Sequence, residues 1–234
     1  MSISMTSSRH NRIRGAVAGF AALGSAAMLA DCSSGSSSNS ADWNEVYGIV
    51  SQAFGGRAPG VTIQDAAAIP FATIGIRVGN SSEGILVLAT NNPQQQLWTS
   101  ASHVVLQTEN GRVMRTAGLE HNRTDIHLVK GASGGPPLQG SVETQWSEDF
   151  GDLHLYSVLV TCQSVVIGPE GVTNFTSRIP TIHVDEQCHS DTIDWTFTDS
   201  YWISPKDGFT WRSIQHVSPK LDPIEIELLR PPSK

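Results

Sequence analysis

From Asp194 to Pro219 the chain reads DWTFTDSYWISPKDGFTWRSIQHVSP, and this stretch constrains the fold more than any other. Trp195 and Phe197 alternate with Thr196 and Thr198, the period of a strand with one buried face, and Tyr201-Trp202-Ile203 continues the aromatic run. Pro205-Lys206-Asp207-Gly208 then supplies a fixed φ, a side chain able to close an Asx-type turn, and a residue that tolerates positive φ. After the turn Thr210, Arg212, Ile214 and His216 face one way, and Trp211, Ser213, Gln215 and Val217 the other. The stretch is a hairpin with an aromatic face. Such a face needs further strands or a helix to bury it, and the rest of the chain must supply them.

It does. Phe71 to Val78 and Ile85 to Thr90 flank a polar turn, and Val104 to Thr108 and Arg112 to Thr116 flank Asn110-Gly111, a strong hairpin signal. Further strand runs cover Ser141 to Trp146, Leu153 to Ile167, Val172 to Val184 after a turn at Gly168 to Gly171, and Ile224 to Leu229. About ten short strands at this spacing predict a mainly β, antiparallel barrel-like or sandwich domain. Residues 131–137 (GASGGPP) break the pattern as a loop. One or two short N-terminal helices are expected to precede the strands. Asp42 to Phe54 places Trp43, Val46, Tyr47, Val50 and Phe54 on one helical face, and a turn from Ile63 to Ile69 stops at Pro70.

The first residues belong to targeting rather than to the fold. Arg9, Arg12 and Arg14 precede the small-residue apolar run of residues 15–30, which is short for a membrane-spanning helix and reads as an export signal. Leu29-Ala30-Asp31-Cys32 is similar to the lipobox at which bacterial lipoproteins are cleaved and acylated on cysteine, with Asp31 a charged departure from the small residue usual there. The expected organisation is a lipoprotein signal peptide over 1–31, a Ser-rich tether over 32–41 and a single β domain over 42–234, with Cys32 the lipid attachment site. Removing residues 1–31 leaves 12 basic and 21 acidic residues, a net charge of -9. So acidic a chain, without a basic cluster beyond its signal, is not expected to bind nucleic acid. Attachment to a membrane must come from acyl chains rather than from charge.

With Cys32 set aside, Cys162 and Cys188 are an even remainder in an oxidising compartment, which predicts a disulfide between them, two buried thiols being the alternative.

Catalytic patterns are weak. Ser102-His103, Asp125 and Ser133 follow the order of a chymotrypsin-like triad, but Asp125 and Ser133 stand eight residues apart, which the geometry of that triad does not allow. The histidines lack ligand spacing, and Glu148, Asp149 and Asp152 read as a solvated acidic turn. No cofactor is expected. The tryptophans carry more information, since aromatic faces stack on sugar rings or fill apolar pockets. Trp195, Phe197 and Trp211 read as a packed seam, which Trp202 either joins or borders. Trp98 and Trp202 are expected to be more exposed, and Tyr201, Arg212 and Gln215 to lie on an exposed face as candidates for binding a partner or a glycan.

Two ordered blocks carry a resemblance. Phe197, Tyr201-Trp202, Gly208, Trp211, Ser213, Gln215 and Pro219 resemble the end of the YjbF/GfcB family of group 4 capsule lipoproteins. Leu97-Trp98-Thr99-Ser100-Ala101, the segment Glu109 to Val113, and Thr116-Ala117-Gly118-Leu119 are similar to that family's central pattern. The likeness runs from about Trp43 to Arg230-Pro231. It implies an outer-membrane lipoprotein facing the periplasm, with Ser33 after Cys32 fitting outer-membrane sorting, and an accessory role in capsule or exopolysaccharide secretion. The implied partners are an outer-membrane β-barrel or the polysaccharide itself, and no catalytic residue carries over. The family pattern does not include the Cys162/Cys188 pair. Two other readings remain open: a glycan-modifying hydrolase, and a carrier holding an apolar ligand inside the barrel.

Overall fold

The period-2 alternation produces a sheet of twelve antiparallel strands in the computed structural model, which describes residues 66, 68–92, 95–131, 135–175 and 177–232. They are β1 (Thr73–Val78), β2 (Gly84–Asn91), β3 (Gln96–Thr99), β4 (Val105–Glu109), β5 (Arg112–Ala117) and β6 (Asp125–Lys130). After these come β7 (Glu143–Phe150), β8 (Leu155–Asn174), β9 (Ser177–Ser190), β10 (Trp195–Ile203), β11 (Thr210–Gln215) and β12 (Ile224–Arg230). Every ladder but one joins strands consecutive in the chain; the exception, β1 with β12, brings the two ends together. The sheet therefore curls into a nearly closed barrel whose free edges are β5 and β6. Those edges are stitched at one end, where the Thr116 N–H donates to the Arg123 carbonyl at 2.9 Å and Arg115 pairs with Asp125 at 2.6 Å.

Inward residues form two apolar clusters. One gathers Ile74, Leu86, Trp98, Leu106, Trp211, Ile224 and Ile226, the other Ile126, Trp146, Phe150, Val158, Val160 and Phe197. Cys162 and Cys188 are register partners on β8 and β9, face the second cluster, and are joined by a disulfide. A third cluster lies on the outer face, where Ile85 and Val87 are covered by Ala66, Ile69 and Phe175. This is why GILVLATN reads as a nearly continuous apolar run: both faces of β2 are buried.

The sequence placed a turn at Gly168 to Gly171, but β8 runs through it and the chain turns near Phe175 instead. Two features make this possible. Gly168, at φ +138°, absorbs a bulge between Val166 and Gly168, and the β7 ladder ends at Gln163, so Pro169 sits where β8 is an edge and no ladder bond is lost. The β8–β9 hairpin thus extends past the barrel wall as an arm. At its end the Asn174 side-chain amide donates to the carbonyls of Leu228 and Leu229. Strands β3 and β6, which the sequence pattern did not single out, bring the count to twelve rather than about ten. The signal peptide, Cys32, the tether and the helix at Asp42 to Phe54 lie outside the described residues; of the second helical turn, Ala66 and Ala68 are helical.

Candidate functional site

At one end of the barrel the β4–β5 and β10–β11 turns rim a cup of about 330 Å³. The first turn is built on Asn110 at φ +49° and Gly111 at φ +85°, the I′-like geometry that the sequence Asn-Gly favours. A Cβ on Gly111 would stand 2.1 Å from the Thr210 hydroxyl oxygen, so glycine is required both by φ and by the approach of the second turn. Inside the cup lie Ile74, Trp98, Ile226 and Leu228. Around it stand hydrogen-bonding groups from Gln96, Asn110, Asp207, Thr210 and Ser213. Trp98 is 2% exposed, and its indole N–H donates to Thr108 Oγ1 at 3.0 Å, which fixes the ring as part of the lining.

Beneath the cup the barrel interior is ionic. Arg112 donates from Nη2 to both oxygens of Glu186, at 2.8 and 2.7 Å, and from Nη1 to the Tyr201 hydroxyl at 3.3 Å. Ser164 Oγ donates to Glu186, and the Tyr201 hydroxyl donates to Gln215 Oε1 at 3.3 Å. Gln215 in turn accepts from the Val113 N–H and donates to the Gly111 carbonyl and Ser213 Oγ, tying the network to the turn that rims the cup. The Arg112 guanidinium also lies 4.7 Å from the Trp146 ring centroid and 5.6 Å from that of Tyr201. Burial opposes its charge, but the Glu186 and Asp199 carboxylates, with the bidentate bond to Glu186, hold its pKa above the ordinary value. Burial pushes the Tyr201 hydroxyl well above its usual range, so it acts as a neutral donor.

A second pair sits beside the first. Arg123 lies 2.9 Å from Glu148 and donates to the carbonyls of Val113 and His216, so one side chain closes the seam from within. Asp199 accepts from the His216 backbone N–H at 2.8 Å and contacts its Nδ1 at 3.0 Å. Burial, partly offset by Arg123, raises the Glu148 carboxyl above its ordinary pKa.

The residues expected on an exposed face divide three ways. Trp98 lines the cup, Tyr201 and Gln215 belong to the interior network with no exposure, and Trp202 is 6% exposed. Exposure is therefore corrected for all four. Tyr201 and Gln215 share the inward parity, and charged partners inside the barrel satisfy their polar atoms. Trp202 points outward but is sandwiched: the His183 ring stacks at 4.4 Å on it and Arg212 lies over it at 4.8 Å. Val172 and Ile179 of the arm join the same cluster. Arg212 is half-exposed, and its Nε donates to Glu225 at 2.7 Å. The acidic turn is also corrected in part, since Glu148 is a buried strand residue, whereas Asp149 accepts from the Ser157 N–H and Asp152 contacts His121. Of the triad-like residues, Asp125 is bound to Arg115 and Ser133 lies outside the described residues. Arg112, Arg123, Glu186 and Asp199 were missed as site residues.

Comparison with known proteins places this architecture. The family described as group 4 capsule polysaccharide lipoprotein GfcB, YjbF matches residues 47–229. The uncharacterized lipoprotein GfcB of Escherichia coli strain K12 is 24% identical over 179 residues, covering 73% of this chain and 81% of that protein. The crystal structure of the hypothetical lipoprotein YmcC from Escherichia coli K12 has the same fold, with a TM-score of 0.60 at 22% identity over 74% of this chain and 91% of that one.

Proposed function

The chain belongs to the YjbF/GfcB family of group 4 capsule polysaccharide lipoproteins, and on that premise we propose that it is a lipid-anchored accessory of capsule or exopolysaccharide secretion that holds a short stretch of glycan in its cup. In this reading Cys32 carries the acyl anchor, in the outer membrane, and the barrel faces the periplasm. The observation that carries the reading is the lining of the cup. A sugar ring offers apolar C–H faces and a belt of hydroxyls, and the cup sets Trp98, Ile226 and Leu228 against Gln96, Asn110, Asp207 and Ser213. Asp207 is the one carboxylate among the described residues that line it, and its Oδ1 accepts the Phe209 N–H. Glycoside hydrolysis ordinarily needs two carboxylates flanking the scissile bond, so the lining favours binding over cleavage.

The test is titration of the purified protein with oligosaccharides from the surface polysaccharide of the producing strain, read by amide chemical shifts. Saturable shifts confined to the cup are expected, and Gln96→Ala with Asp207→Ala should weaken them about tenfold, the loss of one or two hydrogen bonds. Oligosaccharide that leaves the cup unmoved, while the same protein captures an outer-membrane β-barrel, would replace glycan by a protein partner.

A further inference from the structure

One end of the β5–β6 seam is stitched and the other is open. From Thr116 and Arg123 the edge strands β5 and β6 diverge, leaving a cleft of about 280 Å³ between them. Met114 of β5, Ile126 and Leu128 of β6 and Trp146 of β7 give it apolar walls, and Arg112 lines it too. The cup and the cleft have no lining residue in common.

Arg112 decides what the cleft suits. Its Nη groups are engaged by Glu186 and Tyr201, but its Nε–H is buried without an acceptor. A buried orphan donor is costly, and a ligand that supplies the missing acceptor recovers that cost. The acceptor should be uncharged. Glu186 already neutralises the guanidinium, and a further anion would face Glu186 and Asp199 at short range. Elsewhere the cleft offers only apolar surface and the rim residues Gln95, Glu109 and His127. The approach is apolar as well: Val129, next to Leu128 on β6, is 51% exposed, and Leu159, 44% exposed, lies in the same cross-strand row as His127 through Ser147.

We propose that the split between β5 and β6 binds a neutral acyl amphiphile, its chain lying against Met114, Ile126, Leu128 and Trp146 and its ester or amide carbonyl accepting the Arg112 Nε–H. The inference is independent of the glycan reading, since it uses another space and another ligand chemistry.

A matched pair of probes tests it: 1-decanoyl-glycerol, which has the carbonyl, and 1-O-decyl-glycerol, which has a methylene in its place. Each is titrated below its micelle concentration into the purified protein, with the Arg112 Nε–H resonance followed by NMR. The ester should bind about tenfold more tightly than the ether and shift that resonance. Leu128→Trp and, independently, Met114→Trp, both at half-buried wall positions, should abolish binding with the cup's response to oligosaccharide intact. Absence of ester binding, equal affinity for the two probes, an unmoved Nε–H, or undiminished binding by both variants overturns the proposal.

Discussion

Replacing Arg112 by Met removes a bidentate bond to Glu186, a bond to the Tyr201 hydroxyl and a cation held against the Trp146 ring. What remains is worse than what is lost, because Glu186, 1% exposed, is left as a buried carboxylate with Ser164 Oγ as its side-chain donor. Breaking one partner of such a pair costs about 3–5 kcal/mol, whereas replacing both by apolar residues of similar volume is often close to neutral. Arg112→Met and Glu186→Leu should therefore each lower stability by about 3–5 kcal/mol, and the double variant by clearly less than either single one. Urea unfolding at neutral pH measures this, with an unchanged m-value showing that folded and unfolded states are otherwise alike. Each single variant should also melt roughly 10 °C lower, at about 2–4 °C per kcal/mol for a domain of this size. A double variant whose loss equals the sum of the singles to within about 0.5 kcal/mol would mean the two charges act independently, and the reasoning would fail.

Three further outcomes follow from the same geometry. Glu148 has a folded pKa above its ordinary value near 4.5 because burial outweighs Arg123, so the folded state binds that proton more tightly and the stability it gives at low pH is lost as pH rises through the folded value. Glu148→Gln should gain on the parent as pH rises above the ordinary carboxyl value, and a stability difference that is flat or falls over that rise would contradict the assignment. The disulfide closes a loop of sequence separation 26, worth about 3.5 kcal/mol of unfolded-state entropy, so Cys162→Ala with Cys188→Ala should lower the urea midpoint accordingly, and a loss under about 1 kcal/mol would refute this. Trp202→Ala should cost about 3–5 kcal/mol because the ring is packed between His183 and Arg212, yet leave oligosaccharide binding in the cup unchanged; a binding defect without a stability defect would return Trp202 to the site.

The strands and most turns could be read from period and punctuation, because one-sided burial writes itself into alternation, as at Trp195 to Ile203. Where burial is two-sided or pairing is one-sided, that signal fails. Gly168 to Gly171 has the composition of a turn, but a bulge and an unpaired edge let the strand continue, and neither is visible locally. Trp202 misled for a similar reason. Its parity is outward, as an exposed aromatic requires, but it is covered by neighbours on β9 and β11 that only the register brings together.

The interior network was missed although the sequence does mark it. Glu148 stands between Trp146 and Phe150, Glu186 between Val184 and Cys188, and Asp199 between Phe197 and Tyr201, each two residues from apolar neighbours of the same parity. A charged residue at a core-parity position either faces solvent by breaking the strand or is paired inside, and three of them on separate strands imply cations within the barrel. Arg112 meets that requirement by local contact with Glu186 across the barrel, 74 residues away in sequence, and Arg123 meets it from the loop that closes the seam. Pairing charges so far apart fixes how the two halves of the sheet meet, since a one-residue slip of β9 or β7 would turn Glu186 or Glu148 outward and leave its arginine buried alone. The same constraint holds the β4–β5 turn, through Gln215 and Gly111, where it rims the cup. Charge placement in the core thus sets the geometry of the binding surface above it.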